Sequence, residues 1–164
     1  MPEPAKSLLK FGRLTASDRA SAGVYQDESG PAIEEALAEL FAGGVEFVRV
    51  LIPDERAQIA AALKKLCDED KCALVVTTGG TGPTPRDVTP EATRDILEKE
   101  LPGFAEIMRV RSFDIAPTCI LTRAVAGVRG RSLVINLPGR PRAVRECLAI
   151  LAPAIRECLK HLQE

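Results

Sequence analysis

The chain has no tryptophan, a single histidine and only 4% aromatic residues. Aliphatic side chains must therefore build its core. The shortage of rings also removes the stacking platform on which single-stranded nucleic acids are held, and there is no basic tail for DNA, so no nucleic-acid partner is expected. The one histidine, His161, stands close to the end of the sequence. This argues against Ser–His–Asp and Cys–His catalysis and against a histidine-rich metal centre. No apolar run is long enough to span a bilayer, and Met1 to Lys10 lacks the apolar segment of a secretory signal. The expectation is a cytoplasmic protein with no membrane partner. The five cysteines are odd in number and contain no C-x-x-C pair, which reads as reduced core thiols of a cytosolic protein, not disulfides or zinc ligands. An enzyme made from this chain has to work through carboxylates, backbone amides, and arginine or lysine, with a hard cation as an optional addition.

What is present fits an ordinary globular protein: 164 residues, 46% hydrophobic and 27% charged, enough for one domain over residues 1–164 with a real core. Net charge is −1, but residues 1–105 are acidic on balance, and residues 106–164 carry an excess of about five positive charges, mostly arginine. Solvated helix faces account for most of these charges. A basic surface for a phosphate-bearing ligand is the sharper alternative.

One stretch stands out, Thr77 to Glu91. It follows Cys72-Ala73-Leu74-Val75-Val76, a short apolar run that reads as a buried strand of a parallel sheet. Gly79, Gly80 and Gly82 then let the backbone turn sharply and approach a ligand closely. Thr89-Pro90-Glu91 reads as a helix start, with a hydroxyl cap, proline at the first helical position and an early acid. Strand, glycine loop and helix start together make a cradle of N–H groups for phosphate, with Asp87 beside it. The loop is neither a Walker A sequence nor a G-x-G-x-x-G fingerprint.

Around it, apolar runs alternate with helical patterns. Leu8 to Ala16 reads as a first strand, interrupted by Arg13 and ending in Ser17-Asp18-Arg19. Pro31 opens a helix that Gly43-Gly44 stops. Val45 to Ile52 is a second strand, and Pro53-Asp54-Glu55 starts the helix containing Ile59 and Leu63. Asp54 can be read as the cap of that helix or, at a strand's carboxyl end, as a ligand-facing acid. A third helix is expected from Pro90 to about Lys99, and another after Pro102. Cys119 to Val128 and Ser132 to Leu137 are expected to pair as a hairpin across Arg129-Gly130-Arg131. The last strand runs into Pro138-Gly139-Arg140 and a helix that Pro153 should kink or break. The pattern predicts an α/β three-layer sandwich with a mostly parallel central sheet, helices on both faces and a small β-hairpin.

These residues resemble the molybdenum-cofactor biosynthesis (MogA/MoaB-like) family. The likeness rests on Thr77 to Pro83 with Arg86 to Ala92, and on four further segments in the same order: Ser17 to Ser21 with Gly23, Tyr25 and Asp27; Ile52 to Glu55; Leu101 to Phe104; and Asn136 to Gly139 with Pro141. The Ser-Asp-Arg-Ala-Ser segment and Pro117-Thr118 with Ile120-Leu121 look more like the MogA branch. Arg13 departs from the family's apolar first strand.

The resemblance implies a molybdopterin adenylyltransferase that transfers AMP from ATP to the terminal phosphate of molybdopterin. It also implies a homotrimer, and a downstream partner that inserts molybdate. By the same resemblance Asp54 and Asp87 match two essential aspartates. Thr78, Gly79, Gly80, Thr81 and Gly82 match a nucleotide loop; Asn136, Pro138 and Gly139 match a second binding loop; and Ser17, Asp18 and Arg19 match the first-strand loop. Asp87 is expected to hold Mg²⁺ on the triphosphate, with Asp54 helping. Two other readings remain open on the residues: a pyrophosphatase of the same fold acting on ADP-ribose-like substrates, and a pterin-binding carrier without catalysis.

Overall fold

The computed structural model describes residue 1 and residues 8–164. Residues 2–7 of the stretch read for a signal segment lie outside the described residues. Four apolar runs become β1 (Leu9–Ala16), β2 (Val45–Ile52), β3 (Leu74–Thr78) and β6 (Ser132–Leu137). They lie parallel in the order β2-β1-β3-β6. Two short strands, β4 (Lys99–Glu100) and β5 (Ala126–Arg129), extend the sheet past β6 through antiparallel pairings.

Side chains alternate across this sheet, and each face carries its own core. On one face Phe11, Leu74, Val76, Leu133 and Ile135 pack under α2 (Ser29–Leu40), α5 (Pro102–Ser112) and α6 (Pro141–Gln163). On the other, Leu14, Ala16, Val75 and Val134 meet α3 (Arg56–Asp68) and α4 (Thr89–Ile96). A single turn, α1 (Asp18–Ser21), follows β1 directly. This is the expected three-layer α/β arrangement, with both faces of a mostly parallel sheet covered.

Four local expectations change. The hairpin is shorter than its apolar pattern suggests: Pro117–Leu121 forms a 3₁₀ turn, and only Ala126–Arg129 pairs with β6. The intervening segment is drawn elsewhere, because the Arg123 N–H donates to the Thr81 carbonyl at 2.8 Å. The helix from Pro90 stops at Ile96, since Glu98 and Leu101 donate to Val128 and Ala126 and pull the chain into the sheet edge. Helix α6 runs without interruption through Pro153. Pro153 lies on its exposed face, while Leu151, Ala152, Ile155 and Leu159 on either side of it are buried and hold the helix down. Arg13 is neither a break nor solvent-facing. Its side chain is only 11% exposed, and its guanidinium donates to Asp27 at 3.3 Å and to Glu34 at 3.1 Å beneath the start of α2, so a strand position that ought to be apolar carries a paired charge.

Candidate active site

Strand β1 lies between β2 and β3, so the chain leaves β1 toward one side of the sheet and later returns on the other. The connections after β1 and β3 diverge at this point, and open α/β sheets bind ligands where that happens, outside the carboxyl ends of the strands. A cleft of about 570 Å³ opens there. Its walls are Thr15 to Ser17, Tyr25 to Ser29 ahead of α2, Asp54 after β2, Thr78 to Gly80 after β3, and Gly139 to Pro141 at the start of α6.

The glycine loop forms the floor. Gly79 and Gly80 have φ of +89° and +67°, the left-handed region that side chains disfavour. A Cβ on Gly79 would collide with the Ala16 carbonyl, and one on Gly80 with the Thr89 hydroxyl. The loops after β3 and β6 are tied together by the Thr78 hydroxyl, which donates to the Pro138 carbonyl at 2.7 Å. Ser29, at the start of α2, donates to the Gly139 carbonyl and closes the same corner.

Three carboxylates stand at the other end. The Asp18 N–H donates to Asp54 Oδ2 and the Asp54 N–H to Asp18 Oδ1, both at 3.0 Å. This reciprocal pair locks the ends of β1 and β2 together, so Asp54 does not cap α3, whose N-cap is Glu55 with no side-chain bond. Arg86 grips both oxygens of Asp18 at 3.0 Å and reaches Glu55 at 2.9 Å. Its hydrogen bonds hold the Asp18 carboxyl below the usual carboxylate range. Asp54 goes the other way: burial first, then the negative charges of Asp18 and Asp87, push its pKa up. Asp87 Oδ2 accepts from the Thr84 N–H at 3.0 Å and the Thr84 hydroxyl at 2.7 Å. Two buried oxygens beside Gly80, Asp54 Oδ1 and Thr89 Oγ1, have no hydrogen-bond partner. Thr89 is thus not the hydroxyl cap expected from its sequence. Val88 occupies the cap position, and Thr89 already belongs to the helix, its N–H donating to the Gly80 carbonyl at 3.1 Å.

Residues 12–157 match a family model described as "Probable molybdopterin binding domain". The chain belongs to this molybdopterin-binding family. It is similar to a protein of Helicobacter pylori (strain J99) named molybdopterin adenylyltransferase, at 54% identity over 151 residues, covering 92% of this chain and 86% of the relative. A protein of the same name from Escherichia coli (strain K12) is 49% identical over 140 residues, covering 85% of this chain and 72% of its own length. In three dimensions the fold is similar to the crystal structure of the molybdopterin biosynthesis enzyme MoaB from Thermus thermophilus. The TM-score is 0.86 at 42% identity, covering 94% of this chain and 96% of that one.

Within this molybdopterin-binding chain the residues singled out from sequence separate by position. Ser17, Asp54, Thr78, Gly79, Gly80 and Gly139 line the cleft. Ser17 accepts from the Ala20 N–H at 3.1 Å as the cap of α1 and lies 2.9 Å from the Tyr25 hydroxyl. Thr81, Gly82 and Asp87 belong to the surrounding loops, Asp18 opens α1, and Pro138 supplies the carbonyl that Thr78 grips. Arg19 is exposed and outside the cleft's lining. Asn136 is fully buried behind the cleft. Its amide donates to Thr77 and Thr93 at 2.9 Å each, and its carbonyl accepts from Val125 at 3.1 Å. That carboxamide fastens β3, α4 and the chain ahead of β5 together. Arg123 was not singled out in the sequence. It touches the glycine loop at several points, and no spacing or motif marks it.

Proposed function

We propose that the chain is a molybdopterin adenylyltransferase acting as one domain over residues 1–164. It transfers AMP from ATP to the terminal phosphate of molybdopterin, in the manner of the MogA branch. The observation that carries this reading is 54% identity across 92% of the chain to a relative of that name; the cleft supplies the means.

An oxygen of the pterin phosphate bonds to the α-phosphorus of ATP. The bond from that phosphorus to the bridging oxygen breaks, and pyrophosphate leaves with the electron pair. The attacking monoester is largely ionised near neutral pH, so no protein base is required. His161, far along α6, is not needed. The task left to the protein is to bring two anions together. Gly79, Gly80 and Gly139 line the cleft with Arg140 at the start of α6, and their amides, with those of Thr81 and Gly82 further along the loop, would meet that need. Ser17 lines the cleft after the first strand, Asp18 is tied to Asp54 beside it, Arg19 would act from outside the lining, and Asn136 and Pro138 set the second loop from behind.

Mg²⁺ fits the acidic end. Asp54 Oδ1 is buried without a partner, and burial with the Asp18 and Asp87 charges raises the pKa of this carboxyl, a cost that a bound cation would relieve. Among the described residues no group of three or more His, Cys, Asp or Glu is arranged as a metal cage. Mg²⁺ needs none, since one or two carboxylates and the substrate phosphates suffice. Asp54 and Asp87 would hold it, and when bound it would neutralise charge on the triphosphate. Asp87 spends Oδ2 on Thr84 and Asp54 spends Oδ2 on the Asp18 N–H, which leaves each carboxylate its Oδ1 for the cation.

A homotrimer is part of the same reading, supported by exposed Val110, Phe113, Ile115, Ile120 and Leu121 along the end of α5 and the 3₁₀ turn. Five free cysteines support a cytoplasmic setting, and the adenylylated product would pass to a molybdate-inserting partner. The deciding experiment incubates purified protein with molybdopterin and Mg-ATP and analyses the products. Adenylyl-molybdopterin and pyrophosphate are expected, with transfer lost in Asp87→Asn while molybdopterin binding survives. Hydrolysis of ADP-ribose without molybdopterin, or binding without pyrophosphate release, would replace the reading with the pyrophosphatase or the carrier.

A further inference from the structure

We propose that Arg123 is a positioning residue for adenylyl transfer, holding the glycine loop in its anion-binding conformation from the side away from the cleft. The proposal rests on the adenylyltransferase reading. Arg123 does not line the cleft. Its backbone N–H donates to the Thr81 carbonyl at 2.8 Å, Nε to the Gly82 carbonyl at 2.9 Å and Nη2 to the Asp87 carbonyl at 2.8 Å, while Nη1 pairs with Glu91 on α4. The neighbouring Thr122 hydroxyl donates to that of Thr81 at 3.1 Å. One residue thus spans the loop from its beginning to the helix that follows it.

The electrostatics require such a residue. A loop that offers N–H groups to a triphosphate must turn carbonyl oxygens away from it, and those oxygens then need donors of their own. Between Thr81 and Thr89 the loop's other internal bonds are the Thr84–Asp87 turn and the Thr89 N–H to Gly80. Neither satisfies Gly82 or the Asp87 carbonyl. A guanidinium carries five donors in a planar fork and serves both carbonyls and Glu91 at once. An ammonium is a point charge that cannot match this spread. Pairing with Glu91 also cancels a negative charge beside the phosphate site. Because Asp87 hangs from the same carbonyl grip, a slack loop misplaces a proposed metal-holding carboxylate as well as the amides.

The test uses Arg123→Ala and Arg123→Lys in the full chain, with Arg94→Ala, which breaks the exposed pair with Glu100, as control. Hydrogen exchange, which needs no turnover, is expected to quicken at least tenfold over residues 80–88 in both Arg123 variants while β3 and α3 keep their protection. In adenylyl transfer kcat/KM is expected to fall about a hundredfold, most of it in kcat. Added guanidinium ion should restore at least tenfold of that loss in Arg123→Ala, and Arg94→Ala should stay within twofold of wild type. Unchanged exchange over residues 80–88, full activity in Arg123→Lys, or a loss that guanidinium leaves untouched would each overturn the proposal. If Arg123→Ala fails to fold, Arg123→Lys carries the exchange and kinetic readouts by itself. A wild-type protein that makes no adenylyl-molybdopterin would instead sink the functional reading, leaving the exchange result to speak for the loop.

Discussion

Asp54→Asn is expected to stop adenylyl transfer and yet make the protein more stable. The carboxylate of Asp54 is disfavoured in the folded chain by burial and by the charges of Asp18 and Asp87, and its Oδ1 is buried without a partner. A carboxamide of the same shape keeps the acceptor that the Asp18 N–H needs. It also carries no charge for burial and the neighbouring carboxylates to penalise. Removing that disfavoured charge, discounted for the solvent that screens a partly exposed carboxyl, gains about 1 kcal/mol, or a rise of about 2–4 °C in Tm for a chain of this size. The charge part of the gain has a definite sign with pH. A carboxyl whose folded pKa is raised releases its proton less readily when folded, so wild-type stability falls as pH rises from the ordinary aspartate range through the raised value, then levels off. The variant lacks this loss, so its advantage should widen between pH 4.5 and pH 7.5. Urea unfolding at the two pH values, beside a product assay with saturating Mg-ATP, reads both effects. Activity is expected to fall by about two orders of magnitude or more, as when a group that manages transition-state charge is lost. A variant that is less stable than wild type at pH 7.5, or that keeps a tenth of its activity, would refute the reasoning.

Gly80→Ala combines a left-handed backbone with a clash against a buried threonine. It should cost about 1–3 kcal/mol and reduce transfer sharply. Gly23→Ala has φ of +76° with open space around it and should show only the conformational part, so equal losses in the two would deny the close approach at Gly80. Arg13→Met should lower unfolding free energy by about 2–3 kcal/mol, below the usual cost of breaking a buried ion pair. The reason is that Glu34 keeps Arg49 at 2.6 Å and Asp27 keeps Thr15 at 2.8 Å and Gly30 at 3.0 Å; a loss under about 1 kcal/mol would mean that the pair is not intact in solution. At pH 8 a disulfide reagent should label at most the half-buried Cys119 and Cys158 quickly. Cys72 and Cys147 are buried, with thiols pushed up to about 12 and about 11, and all five thiols should react after denaturation.

The fold was legible where local pattern and tertiary demand coincide. Val45 to Ile52 is a strand by its own sequence and also pairs with β1 along its whole length, so its limits match residue for residue. Where the two conflict, tertiary bonding prevails. Cys119 to Ala124 has the apolar character of a strand, but the glycine loop needs donors more than the sheet needs a longer edge. Pro153 ought to end a helix, but an apolar stripe that is buried on both sides of it outweighs one missing hydrogen bond. Arg13 was legible as an anomaly and no more. Its partners, Asp27 and Glu34, come from a loop and a helix whose placement over β1 no local pattern encodes.

The site divides along a similar line. Its floor announces itself, because a backbone that must adopt positive φ and lie against a neighbouring strand needs glycine, and Gly79 and Gly80 are visible for that reason. The acids at strand ends are visible because a strand's carboxyl end is where ligands sit in open α/β sheets. The ties that make these pieces one cleft are single side chains reaching across dozens of residues: Thr78 to Pro138, Ser29 to Gly139, Asp18 to Asp54 and Arg123 to Gly82. None has a period or a spacing, since each is defined by where two loops happen to meet. Threonine, serine and arginine are also common surface residues, so their identity carries little signal. Asn136 shows the same principle from the opposite side. It sits in a loop motif that suggests ligand contact, yet its three hydrogen bonds are all made inside the protein, so its effect on the second loop is exerted through β3 and α4.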